Sequence, residues 1–287
     1  MSNSKYTPKD YVRMIVMIII TIIMIFPVYW MAMTAFKPMN EWLKFPPVWL
    51  TLHPTMDNLK SILGLAKGTI INPAQVGAAP ALLKGLFISV TATLISIGAG
   101  CMAAYSISRF KIGGNFLPLF ILSARMFPPI AVILPLLVMY SWVGAIDTYW
   151  GLIVAYAGFT LPFSVWMMKS FIDEIPREIE EAAIMEGMGI FEVFIKVTLP
   201  IIKTGILVTS LFIFILNWSE FLVAVTMCSQ RVQTAPIFLA TLFSAVAGTL
   251  YGHQAAMGVL IIIPTVVFGY LIQKHLARGF TFGALKR

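Results

Sequence analysis

Charge is scarce in this chain: Asp, Glu, Lys and Arg make up 11% of its 287 residues, against roughly a quarter in a soluble domain. Mean hydropathy is +0.90, so a water-soluble enzyme is excluded on composition. There are only two cysteines, Cys101 and Cys228, too few for a disulfide framework and without the spacing of a metal site. Three histidines, His53, His253 and His275, lie on separate segments and suggest neither a metal centre nor a proton relay. The sequence has no Gly-rich phosphate loop ending in Lys-Ser/Thr, and therefore no visible means of hydrolysing ATP. Period-2 alternation is missing too, which excludes a porin-like barrel, and there is no internal repeat or low-complexity tract.

What is present is a series of long uncharged runs. Arg13 to Lys37 leaves 23 uncharged residues, Lys84 to Arg109 leaves 24, and Arg125 to Asp147 and Asp147 to Lys169 leave 21 each. A helix rises ~1.5 Å per residue, so each run can cross a hydrocarbon core of ~30 Å. Five spans follow, at 13–36, 85–108, 116–141, 149–171 and 203–225. The 42 residues from Val232 to Gln273 carry no Lys, Arg, Asp or Glu and hold one more span or two. Basic residues decide between these. With six spans both termini face the cytoplasm together with thirteen of the twenty Lys and Arg residues, whereas a seventh would place the basic tail outside.

The resulting expectation is an all-α membrane protein with six transmembrane helices and both termini cytoplasmic. Its parts are a cytoplasmic N-terminus at 1–12, a first span at 13–36 retained rather than cleaved, an extracytoplasmic loop at 37–83, a core at 84–275 and a cytoplasmic tail at 276–287. The last span is placed at 255–274, with 226–254 lying outside or dipping partway into the membrane. The net charge of +8 sits mostly at span ends, so it reports orientation and contact with anionic lipid and not a nucleic-acid partner.

Seven of the twelve acids cluster between Asp173 and Glu192, between the fourth and fifth spans. Pro176 suits a first helical turn, the acids behind it suit the positive end of the helix dipole, and Gly187 suits a C-terminal stop. The prediction is a helix of about eleven residues, ~16 Å long and too short and too charged to cross a bilayer. Ile179, Ala182, Ala183 and Met185 to Met188 form a narrow apolar stripe edged by carboxylates, which wants a partner. Ile190 to Lys196 suits a second short helix. Leu199, before Pro200, is expected outside the α region, breaking the chain ahead of the fifth span. Two intramembrane charges stand out: Arg125 in the third span and Glu220 in the fifth, near Asn217. They read either as an interhelical ion pair or as polar elements of a translocation path. Pro128, Pro129, Pro135, Pro162 and Pro264 interrupt spans, as suits a pathway that opens alternately to each side.

Glu181-Ala182-Ala183, three residues, Gly187, nine residues and Val197-Thr198-Leu199-Pro200 together resemble the EAA loop of permease subunits of binding-protein-dependent ABC importers. The family has Ile where this chain has Val197. Phe45-Pro46-Pro47, Pro54-Thr55-Met56-Asp57-Asn58, Arg125-Met126-Phe127-Pro128-Pro129, Asn217-Trp218-Ser219-Glu220-Phe221 and Gly279 to Lys286 are similar to the maltose-type carbohydrate branch, and to its shorter, six-span partner in particular. The family order at 217–220 is more often Trp-Asn-Glu. The resemblance runs from residue 13 onward and implies a type I ABC importer permease fold in a bacterial or archaeal cytoplasmic membrane. It also implies a non-catalytic subunit whose partners are a second homologous permease, a cytoplasmic ABC ATPase dimer that holds the ATP and Mg, and an extracytoplasmic solute-binding protein. Glu181, Ala182, Ala183, Met185, Gly187, Leu199 and Pro200 would couple to the ATPase; Arg125, Asn217 and Glu220 would line the pathway. A permease for a polyamine, phosphate or other non-sugar solute, and an ion-coupled secondary carrier, are the alternatives.

Overall fold

The computed structural model describes residues 8–65, 77–124, 126–229, 231–244 and 248–284. They are helical apart from connecting loops and one hairpin with strands of two residues, β1 (Phe243–Ser244) and β2 (Gly248–Thr249). The chain divides into two compact units, residues 1–78 with 239–262, and residues 79–238 with 263–287.

The first unit holds α1 (Pro8–Phe36), a single 3-10 turn at Met39–Glu41, α2 (Asp57–Ile62), the hairpin and the start of the last helix. Every residue of α1 from Tyr11 to Tyr29 is exposed, most of those from Ile15 to Met24 with large apolar side chains, an arrangement that suits hydrocarbon and not water. The exposed end of a helix leaves carbonyls without partners. Here Asn58 Nδ2 donates to Ala35 O at 2.9 Å and Lys37 O at 2.8 Å, tying α2 to the end of α1, and Trp42 Nε1 donates to Lys37 O at 3.1 Å. Lys37 itself is buried, with Nζ 3.8 Å from the centre of the Trp30 ring; burial lowers its pKa, opposed by the nearby Glu41 carboxylate.

The second unit contains α3 (Ala78–Phe110), α4 (Phe116–Ala124), α5 (Pro129–Trp142), α6 (Tyr149–Asp173), α7 (Arg177–Met185), α8 (Ile190–Val193), a π-helical turn at Phe194–Thr198, α9 (Leu199–Ile201), α10 (Lys203–Trp218), α11 (Leu222–Met227) and most of α12 (Ala235–Thr241). The second half of α13 (Tyr251–Ala284) completes it. Small residues set the helix spacing. Gly100 of α3 abuts Ser164 of α6, and Gly205 of α10 abuts the Phe171 ring, so a side chain at either glycine would collide. Ser96 Oγ donates to Ala157 O at 3.0 Å and lies 2.8 Å from Thr160 Oγ1. Two apolar cores are strung along α3 and α6. One gathers Ile88, Leu152, Tyr156 and Val223, and the other Ile97, Tyr105, Met168, Ile172 and Phe194.

Among the described residues, four helices are long and apolar enough to cross a membrane, Lys9–Phe36, Ala78–Phe110, Tyr149–Asp173 and Tyr251–Gln273, and the number reaches six if two bent pairs each count as one span. The expected third span, 116–141, is bent by 87° between α4 and α5. Pro128 and Pro129 remove consecutive N–H donors there, and Pro129 opens a new helix at its first position. The expected fifth span, 203–225, also departs from a continuous helix. It stops at Trp218 and resumes at Leu222, because the Glu220 carboxylate accepts from Val223 N at 2.9 Å and Ala224 N at 3.1 Å and so caps a fresh helix.

A further correction concerns Leu199, which is α-helical (φ −60°, ψ −42°) despite preceding Pro200. A proline ring ordinarily clashes with the carbonyl four residues back; the widened π turn at Phe194–Thr198 relieves that crowding. The chain instead breaks at Ile202 (φ −86°, ψ 11°), where α8–α9 and α10 meet at 76°.

Candidate functional site

α7 begins after Pro176, whose extended ψ of 133° starts the helix, and carries Glu178 and Glu180 in its first turn, where carboxylates meet the positive end of the dipole. At nine residues it is shorter than predicted. It ends in two crossed bonds: Gly187 N donates to Ile184 O at 2.9 Å and Met188 N to Ala183 O at 3.1 Å. That closure needs a left-handed residue, and Gly187 has φ +93°.

The helix has an inward and an outward side. Ala183 and Glu180 are buried, while Glu181, Ala182, Ile184 and Met185 are exposed, Met185 by 87%. The apolar stripe is therefore not simply edged by carboxylates: one acid, Glu180, points into the protein. Its Oε2 receives Arg109 Nε at 2.5 Å, with both side chains more than nine-tenths buried, and its Oε1 accepts from Thr198 Oγ1 at 2.7 Å. Arg109 Nη2 also donates to Ile172 O at 2.9 Å and Ile175 O at 3.2 Å, at the end of α6. Arg177 Nη2 reaches back to Ser108 O at 3.1 Å, at the end of α3. Leu199 is half-buried in α9, and Pro200 is exposed. Beside this node, Met102, Tyr105, Ser106, Phe110, Ile190, Phe191 and Phe194 line an apolar recess of about 340 Å³.

Arg125 lies outside the described residues, so its pairing with Glu220 has no geometry to report. Asn217 is buried, its Nδ2 3.3 Å from Thr93 Oγ1, and Glu220 is engaged as the α11 cap, with Tyr156 OH donating to its backbone oxygen at 3.2 Å. Side chains of the tail motif from Gly279 onward are likewise outside the described residues. Cys101 and Cys228 are free and buried, and among the described residues no three His, Cys, Asp or Glu side chains gather as metal ligands.

Two features escaped the sequence reading. Arg109, Glu180 and Thr198 form one node, for which the available signals are a lone arginine closing a 24-residue uncharged run and an acid doublet at 180–181. Successive helical residues point ~100° apart, so two adjacent acids on one helix cannot both face outward squarely. The second is Asp147, in the α5–α6 loop. Its carboxylate accepts from Val232 N at 2.9 Å, Arg231 N at 3.0 Å, Ser229 N at 3.2 Å and Ser229 Oγ at 3.0 Å, while its own N–H donates to Met227 O at 2.9 Å. Partial burial alone raises its pKa, but the N–H groups of Arg231, Val232 and Ser229 and the Ser229 hydroxyl overcome that and hold it at about 2.

Residues 96–282 match the family described as "Binding-protein-dependent transport system inner membrane component". Among curated proteins, the trehalose/maltose transport system permease protein MalG of Thermococcus litoralis is 31% identical over 272 residues, 94% of each chain. The trehalose transport system permease protein SugB of Mycobacterium tuberculosis is 30% identical, over 91% of this chain and 92% of its own. The probable ABC transporter permease protein y4oR of Sinorhizobium fredii is 27% identical over 99% of both. A chain in the crystal structure of a bacterial ABC transporter involved in import of the acidic polysaccharide alginate superimposes with a TM-score of 0.76 over 94% of this chain and 98% of its own, at 18% identity, a likeness of fold. With apolar helices able to cross a membrane several times and a family match over most of its length, this chain belongs to the inner membrane components of binding-protein-dependent transport systems.

Proposed function

We propose that the chain is a permease subunit of an ATP-driven importer for a sugar or oligosaccharide, with six crossings and both termini in the cytoplasm. Its partners on this reading are a second homologous permease, an ATPase dimer and an extracytoplasmic solute-binding protein. Relatives named for trehalose/maltose, diacetylchitobiose and galactooligosaccharides support the sugar class. Topology is supported by which loops meet: the end of α3 and the end of α6 share partners with α7, whereas the α5–α6 loop is bonded to residues 229–232.

The observation that carries the coupling role is α7 itself. A short helix presents Glu181, Ile184 and Met185 outward, is stopped by Gly187 and is seated on its inner side by a buried ion pair. Exposed apolar side chains flanked by a carboxylate suit a cleft on a protein partner more than a lipid surface, where basic flanks are usual. Closure of the ATPase dimer would push α7, and the attached helices would turn to open the pathway outward. Asn217 and Glu220 would shape that pathway by holding the α10–α11 break. An ion-coupled carrier would need a polar ion path through the membrane, and Glu220 is instead engaged as the cap of α11, both of its carboxylate oxygens accepting from backbone N–H groups.

The test is Glu181→Lys and Gly187→Pro in the assembled complex, assayed in proteoliposomes with radiolabelled trehalose and maltose. Uptake and transport-coupled ATP hydrolysis are expected to collapse while the chain still inserts. Survival of both activities overturns the coupling role.

A further inference from the structure

We propose that Arg109, Glu180 and Thr198 form the joint through which displacement of α7 is delivered to α3 and α6. The inference rests on the coupling role of α7. Covalently, α7 is attached by weak links: residues 174–176 connect it to α6, and the left-handed Gly187 connects it to α8. A push on a helix held only by such links would be absorbed as rotation about them. The side-chain node bypasses both. One planar guanidinium on α3 grips the α7 carboxylate with Nε, and with Nη2 it holds Ile172 O in the last turn of α6 and Ile175 O in the link that follows; the same carboxylate takes the hydroxyl that ends the π turn. Arg177 adds a return bond from α7 to the last turn of α3. Four segments are thus fixed to one another in direction as well as distance, which a flexible ammonium could not do.

Stability alone does not account for this choice. Desolvating a carboxylate and a guanidinium costs about as much as their pairing returns, and apolar residues of similar volume would hold the site at least as well. What an ion pair with four defined hydrogen bonds supplies is a single permitted orientation. Adjacent Glu181 is exposed, so the doublet divides the work: one acid faces the partner and the other anchors the helix that bears it.

The experiment uses the assembled complex with Cys101 and Cys228 changed to Ser. Spin labels are placed at Met185 on α7 and at Leu83 on α3, both exposed. The distance between them is measured with and without ATP and vanadate, and a separate Met185→Cys variant reports disulfide capture of the ATPase. In the parent complex the label distance is expected to stay constant on trapping, because α7 and α3 move as one piece. In Arg109→Lys, Glu180→Gln and Thr198→Val it is expected to shift or broaden on trapping while capture persists. Binding-protein-stimulated ATP hydrolysis, relative to basal, should fall by about 2- to 30-fold, the range for residues that carry coupling between sites. Thr198→Val keeps volume and Arg109→Lys keeps charge, so at least one variant should assemble if another does not. Capture with an invariant distance and undiminished stimulation in all assembled variants overturns the joint. Loss of capture in the parent overturns the coupling role beneath it.

Discussion

Asp147→Asn is the most informative single perturbation of the loop that joins α5 to α6. The carboxylate collects three N–H groups and a hydroxyl from residues 229–232, and its pKa of about 2 against an ordinary 3.8 reports how much the ionised form is favoured in the fold. At about 1.4 kcal/mol per unit that difference amounts to about 2 kcal/mol, and partial solvent exposure reduces it to about 1–2 kcal/mol. Asn is the right substitution because Asp147 sits at φ +54°, a left-handed conformation that Asn tolerates, so the change removes charge and one acceptor without straining the turn. Amide hydrogen exchange at Ser229, Arg231 and Val232 should then accelerate by about 5- to 30-fold at neutral pH, with the α3–α6 core unaffected. The pH dependence has a defined sign. The folded pKa is depressed, so the contribution is fully present above about pH 4 and disappears as pH falls toward 2. Unchanged exchange in Asp147→Asn, or protection already lost at pH 5–6, would refute the clamp.

Three further outcomes follow from the geometry. Gly187 has open space around its missing side chain, so the cost of replacing it is backbone strain, about 1–2 kcal/mol for Ala and less for Asn; binding-protein-stimulated ATP hydrolysis should rank Gly, Asn, Ala, and an inverted order would remove the argument. Glu220→Ala deletes the α11 cap at about 1 kcal/mol, whereas Glu220→Gln keeps one acceptor, so inactivation half-lives in detergent should order wild type, Gln, Ala. Gly205→Ala drives a methyl group into the Phe171 ring, 2.5 Å from its nearest atoms, at about 1–3 kcal/mol; Phe171→Leu should restore the half-life, and no restoration would point away from overpacking.

The sequence alone determined whatever depends on local chemistry or on counting. Long uncharged runs made membrane helices unavoidable, since a backbone in hydrocarbon must satisfy its own hydrogen bonds. Pro176, the following acids and Gly187 placed α7 to within two residues, because a start, a dipole and a left-handed stop are each read from one residue type. Tertiary structure decided what depends on neighbours distant along the chain. Nothing local tells Glu180 from Glu181; Arg109, 71 residues earlier, does, by offering a guanidinium to only one of them. Leu199 follows the same logic, since its helical backbone depends on a π turn that relieves the crowding expected from Pro200. The breaks in the third and fifth expected spans were only half legible. Pro128 and Pro129 advertise one, whereas the other arises because the Glu220 carboxylate takes two backbone N–H groups for itself, a competition between side chain and main chain that periodicity does not record.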